Sequence, residues 1–139
     1  MFEKGIDVQI AGKDYRFVFT TAAMKAVGLK FGGVAELGER MDADKIGAIG
    51  DVCWLIALLA NQGIMLETRN VSPNNPDLLS AELVELLTMP TEIESLTKEA
   101  LKAIELGMEV EHTPVEGEVD VTLEEIRQKE KKSEDNPAT

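Results

Sequence analysis

At 139 residues the chain has the length of one domain, and its 44% hydrophobic residues suffice for a core built mainly from Leu, Ile, Val, Ala and Met, since only 4% are aromatic. A formal charge of -12 sets the chain against nucleic-acid phosphates and anionic membranes as direct partners and favours solubility. One cysteine, Cys53, excludes an internal disulfide framework and, with His112 the single histidine, a Cys/His zinc site, so a reducing, cytoplasmic setting is expected with no metal or cofactor.

The opening "MFEKGIDVQI" lacks the apolar run of a signal peptide. Within it Ile6, Val8 and Ile10 alternate with Asp7 and Gln9, and Tyr15, Phe17 and Phe19 alternate with Arg16 and Val18, the period of half-buried strands. Between them "AGKD" places Gly12 near the tip, where a hairpin turn demands positive φ. At "TTAAMKAVGLKFGG" the period becomes helical. Ala23, Val27 and Phe31 share a face with Met24 beside them, Thr20 or Thr21 is the expected N-cap, and Gly32-Gly33 is the stop.

"VAELGERMD" predicts a short helix, and Asp42 or Asp44 is placed to cap a longer one, "DKIGAIGDVCWLIALLANQG". There Ile46, Ile49, Cys53, Ile56 and Ala60 repeat at helical spacing while Val52, Leu55 and Leu59 widen the stripe, which predicts a central, mostly buried helix. Its greasiest run, "VCWLIALLA", is shorter than the roughly 20 residues of a membrane span. "LETRNVSPNNPDLLS" reads as a loop leading into a helix from near Asp77, with Leu79, Leu83, Val84 and Leu87 as its stripe.

The last element, "MPTEIESLTKEALKAIELGM", offers Thr91 and Glu94 at capping-box spacing, then Ile93, Leu96, Ala100, Leu101, Ile104 and Met108 on one face, with Gly107 near its end. From Val110 to Thr139 acids outnumber bases, aromatics are absent and apolar residues are scattered, so residues 110–139 are expected to be a largely disordered tail, dispensable for folding. Within it "DVTLEEIRQKEKK" is a marginal helix that a partner would order, through Val121, Leu123 and Ile126. The expected architecture is mainly helical α+β: residues 1–109 form a hairpin followed by four to five helices, and the acidic tail follows.

Groups for chemistry do not converge. Cys53 lies in the greasiest helix and His112 in the tail, so a buried structural cysteine and a solvated histidine are expected in place of a nucleophile and base. The carboxylate pairs Glu92-Glu94 and Glu124-Glu125 are ordinary for so acidic a chain. "GLKFGG" lacks the spacing of a phosphate loop and follows a helix where such a loop follows a strand, so it reads as a helix stop. Trp54, among Val52, Leu55 and Ile56, is expected in the core or at its edge, with an exposed anchor for a partner as the other reading.

A short hairpin "QIAGKDYRFVF", the helix "TTAAMKAVGLKFGGVAEL", an apolar helix, "NPDLLSAELVELLTMPTEIESLTKEALKAIELGM" and an acidic tail follow one another in an order that resembles the tail assembly chaperones of long-tailed bacteriophages, especially phages and prophages of Gram-positive bacteria. The likeness runs from about Ile6 to Met108 and carries no site residue over. It implies a non-enzymatic protein that coats the tape-measure protein, helps recruit tail-tube subunits, self-associates and is absent from the finished virion. It also implies a frameshifted longer product, with which Lys131-Lys132 is compatible, and genomic neighbours comprising an overlapping frame and then a very long helical one.

For such a role Leu96, Leu101 and Ile104 serve either the core or a groove for the partner. Val18 marks a hairpin edge open to a neighbouring copy, and a proline there is expected to lower the mass of the oligomer. The hairpin has a second reading, as a lid over the domain's own core. Two other functional classes are weighed beside the chaperone: a small acidic regulator that mimics a polyanion on a basic partner, and a small enzyme.

Overall fold

The computed structural model describes residues 5–108, and the expected tail, with His112 and Lys131-Lys132, lies outside them. The chain divides into two units between Gly107 and Met108, and the described elements belong to the first save for Met108, the last residue of the last helix. The order is β1 (Gly5–Ile10), β2 (Lys13–Val18), α1 (Thr21–Phe31), α2 (Val34–Ala43), α3 (Ile49–Thr68), α4 (Ala81–Leu87) and α5 (Pro90–Met108). An N-terminal hairpin followed by five helices is therefore the architecture, mainly helical as its periodicities require.

β1 and β2 pair antiparallel from Gly5 opposite Val18 to Ile10 opposite Lys13. The two-residue turn sets Ala11 at φ 53° and Gly12 at φ 81°, the double positive φ of a type I′ turn. Gly12 adopts this without strain, whereas Ala11 sets its Cβ against a carbonyl. Ala11→Asn, which supplies the preferred Asn-Gly pair, is expected to stabilise the domain by about 0.5–1 kcal/mol in a denaturant titration. Unchanged or lower stability would contradict this turn.

Hydrogen-bonded pairs alternate back from Ile10 and Lys13, so Arg16 and Val18 turn their backbone groups away from β1. On that side lies α3. A Cβ on Gly63 would overlap the Arg16 carbonyl oxygen, so the absence of a side chain is what seats the helix on the strand. Val18 is buried, and with α3 lying along β2 it does not mark the open edge expected of it. A proline there probes packing beside α3, not pairing between copies. The apolar face of the hairpin, Val8, Ile10 and Phe17, closes over the core, so the ribbon is a lid on its own domain. β1's outer edge bears no further strand among the described residues.

α3 is the centre. Val52, Cys53, Leu55, Ile56, Ala57, Leu59 and Ala60 are buried against β2, α1, α2 and α4. It differs at both ends from the helix its sequence suggests. Asp44 accepts from the Gly47 N–H at 2.9 Å and heads a turn, so the helix starts at Ile49, and Ile46, expected on the buried stripe, is 78% exposed. At the far end Gly63 does not stop it, and the helix runs on to Thr68. With 20 residues and mean hydropathy 1.6 over its best window it is long and apolar enough to cross a membrane, which the shorter run "VCWLIALLA" concealed; half of that window is buried inside the domain.

Thr20 is the N-cap of α1: its Oγ1 accepts from the Ala23 N–H at 3.1 Å and donates to Oε1 of the buried Gln62 on α3. One hydroxyl thus joins the hairpin exit, α1 and α3. Gly32, at φ 101°, ends α1 with its N–H on the Gly28 carbonyl. Met24 is 47% exposed and stands outside the buried Ala23 and Val27 stripe. Trp54 sits at the core edge, its ring meeting Phe31 edge-on at 5.5 Å between centroids, with Lys30 Nζ 5.1 Å above it.

The long connection 69–80 is held by two asparagines. Asn75 Nδ2 donates to Thr68 Oγ1 and to the Asn70 carbonyl, while its Oδ1 accepts from the Asp77 N–H. Asn61 of α3 clamps Leu79, donating to its carbonyl at 2.9 Å and accepting from its N–H at 2.7 Å. Because Asp77 and Leu79 are engaged this way, α4 begins only after Ser80, whose hydroxyl caps Leu83, and not near Asp77. Leu83 is half exposed and Val84 carries the burial.

α5 starts at Pro90, where a missing N–H costs nothing. Glu92 reaches back to accept from the Met89 N–H at 2.7 Å, so the cap lies two residues earlier than the expected Thr91 and Glu94 pair and is one-sided, since Met89 has no side-chain oxygen to return the bond. Leu96, Ala100, Ala103 and Ile104 face the core, and a Cβ on Gly107 would press on the Phe19 carbonyl oxygen at 2.6 Å.

Candidate functional site

α5 carries two stripes. The first, from Leu96 to Ile104, is sealed into the core. The second is formed by Pro90, Ile93, Thr97 and Leu101, spaced three and four residues apart and so aligned along another side of the helix. These four face the end of α2 and the start of α3, and the space between is an open groove of about 440 Å³. Its apolar lining includes Met41, Ile49, Val52, Pro90, Ile93 and Leu101. Thr97 adds little polarity, because its hydroxyl donates to the Ile93 carbonyl at 2.6 Å. Asp42 and Lys45 stand on one side of the groove, Glu94 and Lys98 on the other.

The start of α3 makes the groove possible. Because the helix begins at Ile49, the 45–48 turn brings Lys45 and Ala48 to the groove's lining, Ile49 is left 40% exposed, and Val52 one turn later is buried. Leu101 is 41% exposed on the facing wall. Of the residues expected to serve core or groove, the structure therefore puts Leu96 and Ile104 in the core and Leu101 in the groove; Val18 lies elsewhere, buried at the end of β2. The second stripe of α5 is visible in the sequence, but merging it with the core stripe hides it. Met41 and Ile49 carry no signal short of the fold.

A second cleft, about 550 Å³, opens between the hairpin and the end of α3, and Asp7, Asp14, Tyr15, Arg16, Glu67 and Arg69 are among its walls. It is charged where the first is apolar. Arg16 donates to Asp7 at 2.8 Å, and that hydrogen bond holds the Asp7 carboxyl below the usual carboxylate range. With acids and arginines interleaved, this cleft presents no field of one sign.

Among the described residues no three His, Cys, Asp or Glu side chains come together as a metal site would require. Cys53 is fully buried, and burial first, then the nearby Glu85 charge, pushes its thiol up. Above the ordinary thiol pKa the unfolded chain gives up this proton while the folded one keeps it, so the folded state then binds more protons and its stability falls as pH rises. Disulfide reagents are expected to label Cys53 only at the rate of global unfolding; prompt labelling in native buffer would contradict its place in the core. Comparison with known proteins finds no matching family model, no matching curated protein and no matching solved structure.

Proposed function

We propose that the protein is a tail assembly chaperone of a long-tailed phage or prophage, acting in the host cytoplasm and absent from the virion, which holds the tape-measure polypeptide and helps recruit tail-tube subunits. The observation that supports this reading is an open apolar groove, walled by Ile49, Ile93 and Leu101, on a strongly acidic domain. A tape-measure chain exposes apolar helical faces until the tube surrounds it, and a holder for it requires apolar surface to cover those faces and net charge to keep the complex dispersed. The element order that resembles such chaperones supplies the biological partner. Self-association belongs to the same reading, with the outer edge of β1 as one surface offered to a second copy.

Co-expression with the product of the long helical reading frame expected beside its gene provides the test. The proposal predicts that this product moves from the insoluble to the soluble fraction when the chaperone is present and co-purifies with it. A product equally insoluble with and without it would end the proposal. The net charge of -12 also favours a second reading, an acidic regulator on a basic partner, which salt separates from the first.

A further inference from the structure

We propose that the outer edge of β1 pairs antiparallel with β1 of a second copy about a two-fold axis at Val8, joining two hairpins into one four-stranded sheet. The inference gives a geometry to the self-association of the chaperone reading and rests on that reading for its purpose, while its test needs only the purified chain.

The backbone argues for the edge. The hydrogen-bonded pairs that run back from Ile10 and Lys13 leave Asp7 and Gln9 with their N–H and C=O turned away from β2. No backbone group among the described residues takes them up, and no helix lies along β1 as α3 lies along β2. Edges left open in monomers are ordinarily blunted by lysine, proline or a bulge. β1 has none of these. It pairs with β2 in unbroken register, and its one charged side chain, Asp7, is already matched by Arg16, which donates to both carboxylate oxygens.

Charge argues for a second copy as the occupant. Two chains of formal charge -12 repel each other, so they meet best where each is neutral. From Gly5 to Val18 the hairpin carries Asp7 and Asp14 against Lys13 and Arg16 and has no net charge. The register also sets unlike groups opposite each other. With Val8 facing Val8 of the second copy, Asp7 faces Gln9 and Gln9 faces Asp7, while Ile6 faces Ile10 on the inner side. Gln9 Nε2 donates one N–H to Asp14 at 2.8 Å, and its other N–H has no partner among the described residues. Across the two-fold axis that second N–H meets the Asp7 carboxylate of the other copy. Sliding the strands by two residues would instead set Asp7 against Asp7, a like-charge pair. Because α3 covers β2, each hairpin has one free edge, so pairing closes at two copies.

Sedimentation equilibrium of the full chain reads the association. The wild type is expected to show a concentration-dependent monomer–dimer equilibrium that salt leaves intact or tightens, since screening weakens the repulsion between two acidic bodies. Gln9→Pro removes an outward N–H and no bond to β2, and should raise the dissociation constant by about tenfold or more. Gln9→Glu, which sets a carboxylate against Asp7, should also weaken the dimer, whereas Gln9→Lys should hold or tighten it. Circular dichroism spectra that match the wild type establish that each variant is folded. Hydrogen exchange needs no substitution: the Asp7 and Gln9 amides should be protected at high concentration and lose protection on dilution, while those of Val8 and Ile10 stay protected throughout.

A wild type that remains monomeric, a dimer that folded Gln9→Pro leaves unchanged, or Gln9→Glu and Gln9→Lys acting alike would each overturn the inference. So would Asp7 and Gln9 amides that exchange at one rate at every concentration. If the dimer fails these tests while the tape-measure product is still kept soluble, the inference falls and the chaperone reading stands. A dimer that behaves as described beside a tape-measure product left insoluble gives the reverse.

Discussion

Replacing Phe17 by alanine is expected to lower the unfolding free energy by about 3–5 kcal/mol, a large part of the roughly 5–15 kcal/mol that holds a domain together. Phe17 is fully buried, lies opposite Ile6 across the hairpin and belongs to the core that α3 organises. A two-stranded ribbon is marginal in water, so its persistence depends on such apolar contacts with the helices. Removing the ring takes away transfer energy and leaves a cavity between ribbon and helix that the surrounding rigid elements cannot fill. Denaturant titration of Phe17→Ala reads the effect directly. A loss below about 1 kcal/mol would mean that the hairpin is an appendage and not a wall of the core.

The second large effect comes from adding one methyl group. Gly63→Ala is expected to destabilise by about 1–3 kcal/mol, because the new Cβ overlaps the Arg16 carbonyl oxygen, a backbone atom with no alternative rotamer. Either β2 moves off α3 or the helix shifts, and both disturb the packing of Phe17. Gly38, inside α2 with open space where a Cβ would stand, provides the opposite case: there the same substitution should stabilise by up to about 1 kcal/mol through helix propensity. The pair therefore carries opposite signs for identical chemistry. Stabilisation by both substitutions would show that α3 and β2 do not approach as described.

Much of the architecture follows from local pattern. Alternation in Ile6–Ile10 and Tyr15–Phe19 marks the hairpin, and Thr20, Gly32 and Gly33 mark the limits of α1, because caps and turns act within a few residues. Where pattern and fold part, tertiary hydrogen bonds decide. The loop before α4 outlasts Asp77 because Asn61, 18 residues away, holds Leu79. α3 runs past Gly63 because close approach to a strand, not chain termination, is the reason for that glycine.

The groove was legible only in part. Leu101 stands out as an apolar position on α5, but one helix cannot reveal which of two stripes meets a neighbour. That depends on how α5 is set against the start of α3, and therefore on the turn headed by Asp44, which leaves Ile49 at the rim. Ile93 belongs to the same case: a single apolar face fits Ile93, Leu96, Ala100 and Ile104 in sequence, while the fold shares them between core and groove.

The central claim is that apolar side chains of this domain hold another polypeptide. Sedimentation of the protein mixed with the proposed tape-measure partner across a range of salt concentrations tests it most directly, since screening removes exposed charge pairing but leaves apolar contact. The account predicts a complex that weakens modestly and survives high salt; one that dissolves steeply as salt rises would show that charge, and not the groove, does the holding.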